Sequence, residues 1–154
     1  MNPLLPASVL ATGIAAGLCD DRSIVQLPAF RRTGLKAWVA FSRHADLENG
    51  LYFYPLLAIG GSLLTIGAAW TTRRERATSP RARHLADAAA VAAFGAIAAT
   101  TQAAPNMWRL RRVDDDDAAT LERSYRGFRF WHGVRSVAFT AAFAFGVAAL
   151  SVRR

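Results

Sequence analysis

The stretch RFWHGVRSVAF, residues 129–139, brings a histidine and an arginine to the start of an apolar segment. His132 and Arg135 are three residues apart, so a helix places both on one face. A histidine titrates near neutral pH and suits a general base, and a guanidinium can hold a substrate oxygen or a developing enolate. The alternatives stay open: His132 as an interfacial anchor of the helix, and Arg135 as half of a structural ion pair.

A third candidate catalytic group is Asp20, in the stretch CDDRS that interrupts the first apolar run. Gly13, Gly17 and Asp20 share one helical face, and small residues mark close contact between membrane helices. This pattern favours Asp20 over Asp21 as the carboxylate that points inward.

Depth in the membrane suggests that Asp20 pairs with Arg135. Asp20 precedes Pro28 by eight residues, about 12 Å, and Arg135 follows Phe130 by five, about 8 Å, at 1.5 Å per helical residue. An unpaired charge costs at least ~2.5 kcal/mol inside a bilayer. We therefore expect the two side chains to turn inward and meet.

Four apolar windows are long enough to cross a bilayer as helices, at about 20 residues each. They cover residues 6–28, 51–70, 86–105 and 130–152, and they predict an all-α, four-helix transmembrane bundle forming one integral membrane domain over residues 1–154. Helical spacing of apolar residues among charged ones predicts short interfacial helices in the first and third connections. The residues that carry this spacing are Leu35, Trp38, Phe41 and Ala45, and then Leu121, Tyr125 and Phe128.

The composition points to lipid as the chief partner. The chain is 53% hydrophobic with a net charge of +8, and its arginines lie mostly in the short connections between apolar runs. That distribution suits contact with anionic headgroups, whereas the aromatic side chains are not interleaved with a basic groove as nucleic-acid binding requires. No basic residue precedes the first window, so we read it as a retained span rather than a signal peptide.

Polar residues within the spans lie toward one side of the membrane. Four spans put both termini on one side, and the first and third connections on the other, which we call side Y. We expect a polar pocket that opens to side Y and binds a ligand there. The predicted substrate-binding residues are Glu48, Tyr52, Gln102, Asn106 and Trp131. A C-cap role for Asn106 and an interfacial aromatic belt for the aromatic residues are the simpler alternatives.

The sequence predicts no metal site and no other cofactor. His44 and Glu48 are one helical turn apart and could approach His132, but no recognised zinc or iron spacing is present. The acidic run at residues 114–117 lacks the alternating ligands of a calcium loop and is typical of a solvated helix cap.

Three stretches resemble the anthrone-oxygenase-like family of small four-span membrane proteins. They are LPAFRRTGLKAWVAFSRHADLENGLYFYP (residues 27–55), APNMWRLRR (104–112) and FRFWHGVRSVAF (128–139). The resemblance implies a four-helix membrane bundle. It also implies, as in a few members, oxidation of anthrones to anthraquinones without a bound metal or flavin. The site residues that it carries over are Pro28, Asn106, Trp131, His132 and Arg135. It implies an uncharged stretch where this chain has CDDRS, a difference that points to another substrate or reaction.

Two functional hypotheses follow. In the first, the protein is a cofactor-independent oxygenase or proton-transfer enzyme acting on a lipophilic aromatic or quinone-like molecule, with His132 or Asp20 moving a proton and Arg135 stabilising the anion. In the second, it is a non-catalytic accessory or small-molecule-binding protein, in which Asp20 and Arg135 form a structural pair. We expect a bacterial-type cell membrane with both termini cytoplasmic, and the oligomeric state stays open.

Overall fold

The computed structural model describes residues 3–75 and 78–152, and every regular element in these ranges is helical. Helix α1 covers Leu4–Thr33. Helix α2 covers Leu35–His44 and continues through a wider π-helical turn at Ala45–Asn49. Helices α3, α4 and α5 cover Phe53–Arg74, Pro80–Arg109 and Ala118–Ser151. The predicted all-α bundle is thereby confirmed.

Four of these helices, α1, α3, α4 and α5, are long and apolar enough to cross a membrane. Large apolar side chains lie exposed along all four, among them Leu10 at 67%, Leu63 at 58%, Phe94 at 65% and Val137 at 71%. A water-soluble monomer rarely exposes so much contiguous apolar surface. These helices belong to a small integral membrane protein whose outer surface faces lipid.

The four spanning helices form a ring in which each helix runs antiparallel to its two neighbours. Helix α1 packs on α3 and α5, and α4 packs on the same two helices from the other side. Helix α4 contributes a seam of buried alanines spaced three or four residues apart, namely Ala82, Ala86, Ala89, Ala93, Ala96, Ala99 and Ala103. Such small side chains let the backbones approach closely, which is how membrane helices gain packing energy.

The facing seam of α5 has a buried residue at every seventh position, three of them large and the last a glycine. Tyr125, His132, Phe139 and Gly146 are all buried. A Cβ on Gly146 would lie 2.8 Å from the Val9 side chain, so glycine is needed for the approach of α1 to α5. His132 therefore occupies a core position of the bundle.

Helix α2 covers the side-Y end of the bundle. Gly34, with a φ of 100°, ends α1 in a conformation that glycine adopts easily, and it lets the chain fold back into α2. The predicted helix in the first connection is present, although its buried residues are Trp38, Val39 and Ser42, while Phe41 is exposed. Trp38 is completely buried, with its ring edge-on to Tyr125 at 5.0 Å between centroids.

The third connection contains no separate helix, contrary to our expectation of a short interfacial one. Leu121, Tyr125 and Phe128 are helical as predicted, but they belong to the first turns of α5. Asp117 caps the start of α5 by accepting a hydrogen bond from the Thr120 amide at 3.0 Å. No proline follows within α5, so the helix continues without a break into the apolar segment. The Thr120 hydroxyl and amide hold the pKa of Asp117 below its usual range.

The acidic run also fastens α2 to the end of the bundle. Arg43 pairs with Asp115 at 2.7 Å and donates hydrogen bonds to the backbone carbonyls of Leu110 and Val113, both at 2.8 Å. Lys36 pairs with Asp116 at 2.7 Å on the exposed surface, and this contact raises the pKa of Lys36 and lowers that of Asp116. The run thus docks α2 as well as capping α5.

Three of the helices contain one π-helical turn each. These turns are Arg22–Gln26 in α1, Ala45–Asn49 at the end of α2 and Leu56–Gly60 in α3. A π turn holds one extra residue and re-aims the neighbouring side chains, and such turns are frequent at functional sites. All three lie in the side-Y half of the molecule.

Candidate functional site

A pocket of about 190 Å³ lies in the side-Y half, where the three π turns converge. Each turn supplies lining residues: Arg22 and Gln26 from α1, Asp46 and Leu47 from α2, and Leu57 and Ala58 from α3. Helices α4 and α5 complete the wall with, among others, Met107, Phe128, His132, Arg135 and Phe139. The lining is mostly apolar with a few charged groups, which is the usual composition of a small-molecule site.

His132 is fully buried in the wall, and both ring nitrogens have partners. Nδ1 contacts an Nη2–H of Arg135, and Nε2 lies 3.2 Å from the Cys19 carbonyl oxygen. A guanidinium can only donate, so Nδ1 accepts, and the ring proton sits on Nε2 and is donated to Cys19. The ring also stacks on Phe128, 5.1 Å between centroids. In this arrangement His132 cannot take a proton from a ligand until Arg135 releases Nδ1.

Arg135 lies beside the Cys19 thiol as well as His132. Its Nε is buried and has no hydrogen-bond partner, and no carboxylate of a described residue lies within ion-pair distance. A guanidinium without a counter-ion inside a bilayer costs at least ~2.5 kcal/mol on the lenient insertion scale. Arg135 therefore has unused capacity to bind an oxygen in the pocket.

The buried ion pair of the pocket joins Arg22 to Asp46. Both terminal nitrogens of Arg22 donate to the two carboxylate oxygens of Asp46, and one also reaches the Ser42 hydroxyl at 3.4 Å. The side chains of the pair are only 10% and 9% exposed. The guanidinium also lies 5.0 Å from the Phe128 ring centroid, in cation–π range. This bidentate pair links α1 to the π turn of α2.

The predicted pair of Asp20 with Arg135 was wrong. Asp20 accepts hydrogen bonds from the hydroxyls of Ser136 and Thr140, the latter at 3.0 Å, and it is not part of the pocket wall. The depth estimate was sound, since Asp20 contacts Ser136, the residue that follows Arg135, but its carboxylate meets the hydroxyls of α5 instead of the guanidinium. Of the two adjacent aspartates it is Asp21, not Asp20, that lines the pocket, and it accepts a hydrogen bond from Gln26 Nε2 at 2.6 Å.

The predicted substrate-binding residues lie around the pocket rather than in its wall. Tyr52 is 82% exposed, while Tyr54 lines the pocket in its place. Gln102 is exposed, and its carbonyl accepts a hydrogen bond from the Asn106 side chain at 3.1 Å. Asn106 lies so close to Gly127 that a Cβ there would be 2.5 Å from its Oδ1. Asn106 therefore supports the contact of α4 with α5 instead of capping α4.

The last two predicted residues also lie outside the wall. Trp131 is partly buried against the core beneath α2 and edge-on to Phe130. Glu48 is exposed and contacts His44 at 2.9 Å. Within residues 3–75 and 78–152, no group of three or more His, Cys, Asp or Glu side chains is arranged to hold a metal.

Sequence reasoning missed Asp46, Met107 and Phe128 as pocket residues, and it treated Arg22 only as part of a charged stretch. The signal for Arg22 and Asp46 was present in their opposite charges, 24 residues apart near the same end of the bundle. The π turns that aim them into the pocket have no comparable signal, since the chain around them reads as ordinary helix.

A second depression lies in the opposite half, between α1 and α5. It is wider and more open, about 420 Å³, and is lined by Pro6, Val9, Leu10, Gly13, Ile14 and Phe143. None of these side chains can form a hydrogen bond, so this groove can hold a lipid tail but cannot orient a polar group.

Comparisons with family models, with curated proteins and with solved structures give no match to this chain.

Proposed function

We propose that this membrane protein binds a lipophilic aromatic or quinone-like small molecule in the side-Y pocket. The observation that carries the proposal is the apolar pocket beside an Arg135 that has no carboxylate partner. A ligand oxygen beside Arg135 would accept hydrogen bonds from the guanidinium N–H groups that have no acceptor among the described residues. Such a site combines apolar burial with one strong orienting contact.

The size of the pocket limits how much of a ligand it can enclose. A dry cavity of about 150 Å³ holds a benzene molecule, so 190 Å³ encloses a group of one to two rings. The rim carries four exposed apolar or aromatic side chains, Leu18, Phe41, Tyr54 and Trp108. A larger molecule would place its polar end in the pocket and leave the rest among these side chains, having entered from the bilayer.

The proposal is tested by extracting the purified protein with organic solvent and analysing the extract by mass spectrometry. Ala104 lines the pocket and Ala98 is exposed on the same helix, so Ala104→Phe fills the site and Ala98→Phe is its matched control. We expect a small molecule that co-purifies with the wild type and the control but is depleted at least tenfold in Ala104→Phe. Equal recovery from all three would mean that the compound comes from bulk lipid and would count against the site.

A second candidate is an oxygenase that needs no cofactor, favoured by the position of Arg135 beside His132. A substrate carbonyl oxygen that draws Arg135 away would free Nδ1 of His132 to accept a proton from a CH₂ group that is acidified by conjugation with that carbonyl, as the CH₂ group across the central ring of anthrone is. The resulting enolate, held by Arg135, would transfer electrons to O₂ and form a hydroperoxide. Loss of water then leaves a carbonyl, so that R₂CH₂ and O₂ give R₂C=O and H₂O. The resemblance to anthrone-oxygenase-like proteins makes anthrone the first substrate to try.

Oxygen uptake by the reconstituted protein tests this chemistry. We expect one O₂ consumed per anthraquinone formed from anthrone. His132→Gln, which keeps a hydrogen-bonding side chain but loses the base, should lower the rate at least a hundredfold, in line with the loss of a general base. A rate no higher than that of empty nanodiscs would eliminate anthrone oxidation and leave the binding function standing.

For the topology we propose that both termini face the cytoplasm of a bacterial-type cell. The stretch TTRRERATSPRARH (residues 71–84), which covers the end of α3, the connection and the start of α4, is compact, basic and nearly free of acid, as the cytoplasmic ends of spans tend to be. Side Y has more basic residues in total but mixes them with acids. A C-terminal reporter that is active only outside the cytoplasm would reverse this orientation.

A further inference from the structure

Resting on the proposed binding function, we infer that the ligand of the pocket carries an anionic oxygen group whose charge pairs with Arg135. The inferred class is an apolar molecule with one carboxylate, phenolate, enolate or phosphate group. The proposed function requires only a lipophilic ligand with an oxygen, so the negative charge is an additional claim.

The charges of the pocket wall support an anion. Arg22 and Asp46 neutralise each other in a bidentate contact. Asp21, the other carboxylate of the wall, is exposed, accepts from Gln26 and does not pair with Arg135. Arg135 is thus the charge of the described wall that combines a buried Nε with no partner of opposite sign, whereas the unpaired Asp21 is exposed.

The hydrogen-bonding state of Arg135 leads to the same ligand chemistry. One of its terminal nitrogens donates to His132, a neutral acceptor, and its buried Nε donates to no described atom. The Nε of Arg22 is buried without a partner in the same wall. A planar anionic group presents two acceptor oxygens and matches a guanidinium better than a single neutral carbonyl does.

Matched photolabels test the charge directly. 4-Benzoylbenzoate is an apolar monoanion, and its methyl ester is the neutral counterpart with the same photoreactive ketone. Each is irradiated with the wild-type protein in phosphatidylcholine nanodiscs, and the attachment sites are mapped by mass spectrometry. Labelling of pocket segments, such as that of Met107, is divided by labelling of the lipid-facing segment around Phe94, which corrects for partition into the bilayer.

We expect the corrected pocket labelling to be at least tenfold greater for the acid than for the ester. Arg135→Gln should abolish the difference while keeping the ester's labelling, which also shows that the variant folds. Arg135→Lys should keep part of the difference, because it keeps the charge. Arg129→Gln, an exposed arginine of the same helix outside the pocket, is the control and should behave as wild type.

Failure of this inference and of the proposed function look different. Equal pocket labelling by acid and ester in the wild type would overturn the anion and leave the binding site intact. Labelling of the pocket by neither compound would contradict the binding site itself.

An anionic lipid headgroup offers the same chemistry as a free acid, so the experiment is repeated in nanodiscs that contain phosphatidylglycerol. Suppression of the acid's labelling there would identify a lipid phosphate as the bound anion, whereas unchanged labelling would identify a free apolar acid. A preference for the acid that persists in Arg135→Gln would contradict the assignment to Arg135.

Discussion

The sequence shows which charged residues lie within the membrane spans, but it does not show which of them pair. Arg22, Asp46 and Arg135 illustrate this difference. The cost of an isolated charge correctly predicts that Arg135 of the fourth span turns inward, and Arg22 of the first span does so too, whereas Asp21 stays exposed. Pairing depends on helix rotation and on residues outside the spans. Asp46 lies in the first connection, and only the docking of α2 brings it to Arg22. Asp20 meets two hydroxyls instead of a cation.

The Arg22–Asp46 pair gives a stability prediction. Arg22→Met leaves the Asp46 carboxylate buried alone and should destabilise the protein by about 3–5 kcal/mol, the usual cost of breaking a buried pair. The double variant Arg22→Met with Asp46→Leu should recover most of this loss in thermal melts in detergent. A double variant that melts no higher than the single one would show that the two side chains are not coupled.

The control for this cycle is the exposed pair of Lys36 with Asp116, whose side chains are 69% and 85% exposed. Water screens such a pair, so Lys36→Met should leave the melting temperature unchanged within error.

At the scale of elements, hydrophobic length located the four spanning helices, because apolar runs of this length have few alternatives, but it placed the start of α4 at residue 86 instead of Pro80 and that of α5 at residue 130 instead of Ala118. The same reasoning wrongly predicted two helices where the structure has α5 alone. The sequence changes from mixed charged and apolar residues to a mainly apolar run near residue 130, but the helix continues through that point. This reasoning could not find the π turns. Their extra residue shows only in the hydrogen-bond pattern, as where the Leu27 amide reaches the Arg22 carbonyl five residues earlier.

A single-residue deletion tests the π turn of α1. Removing the lipid-facing Val25 from this turn should restore ordinary helix there and leave both flanking segments on their present faces. We expect a folded protein by circular dichroism that has lost pocket labelling, because Arg22 is no longer aimed at Asp46.

The matched control removes Val91, an equally lipid-facing valine in the regular helix α4. This deletion rotates the rest of α4 by about 100° and takes its alanine seam out of the core. It should prevent folding. If both deletion variants failed to fold, the π turn at Val25 would not contain an extra residue that can be removed without rotating the rest of the helix.

The whole molecule divides into a half that is held by close helix packing and a half that contains the side-Y pocket. Away from side Y, alanines and glycines bring the helices together, and no hydrogen-bonding side chain lines the groove there. Toward side Y, aromatic residues and the docked α2 hold the bundle end together over the pocket. The polar asymmetry of the sequence predicted which half holds the pocket, because each span has its polar residues toward the same side. The enclosing wall depends on α2 and could not be predicted from the spans alone.

The central claim is that the side-Y pocket takes up lipophilic molecules from the bilayer, and neutral benzophenone tests it most directly. The compound is irradiated with the protein in its native membrane, and the attachment sites are mapped by mass spectrometry. Our account predicts labelling concentrated on pocket residues such as Met107 and Phe128, lost in Ala104→Phe and kept in Ala98→Phe. Labelling spread over the lipid-facing surfaces, at Val91 and Phe143 as much as in the pocket, would contradict it.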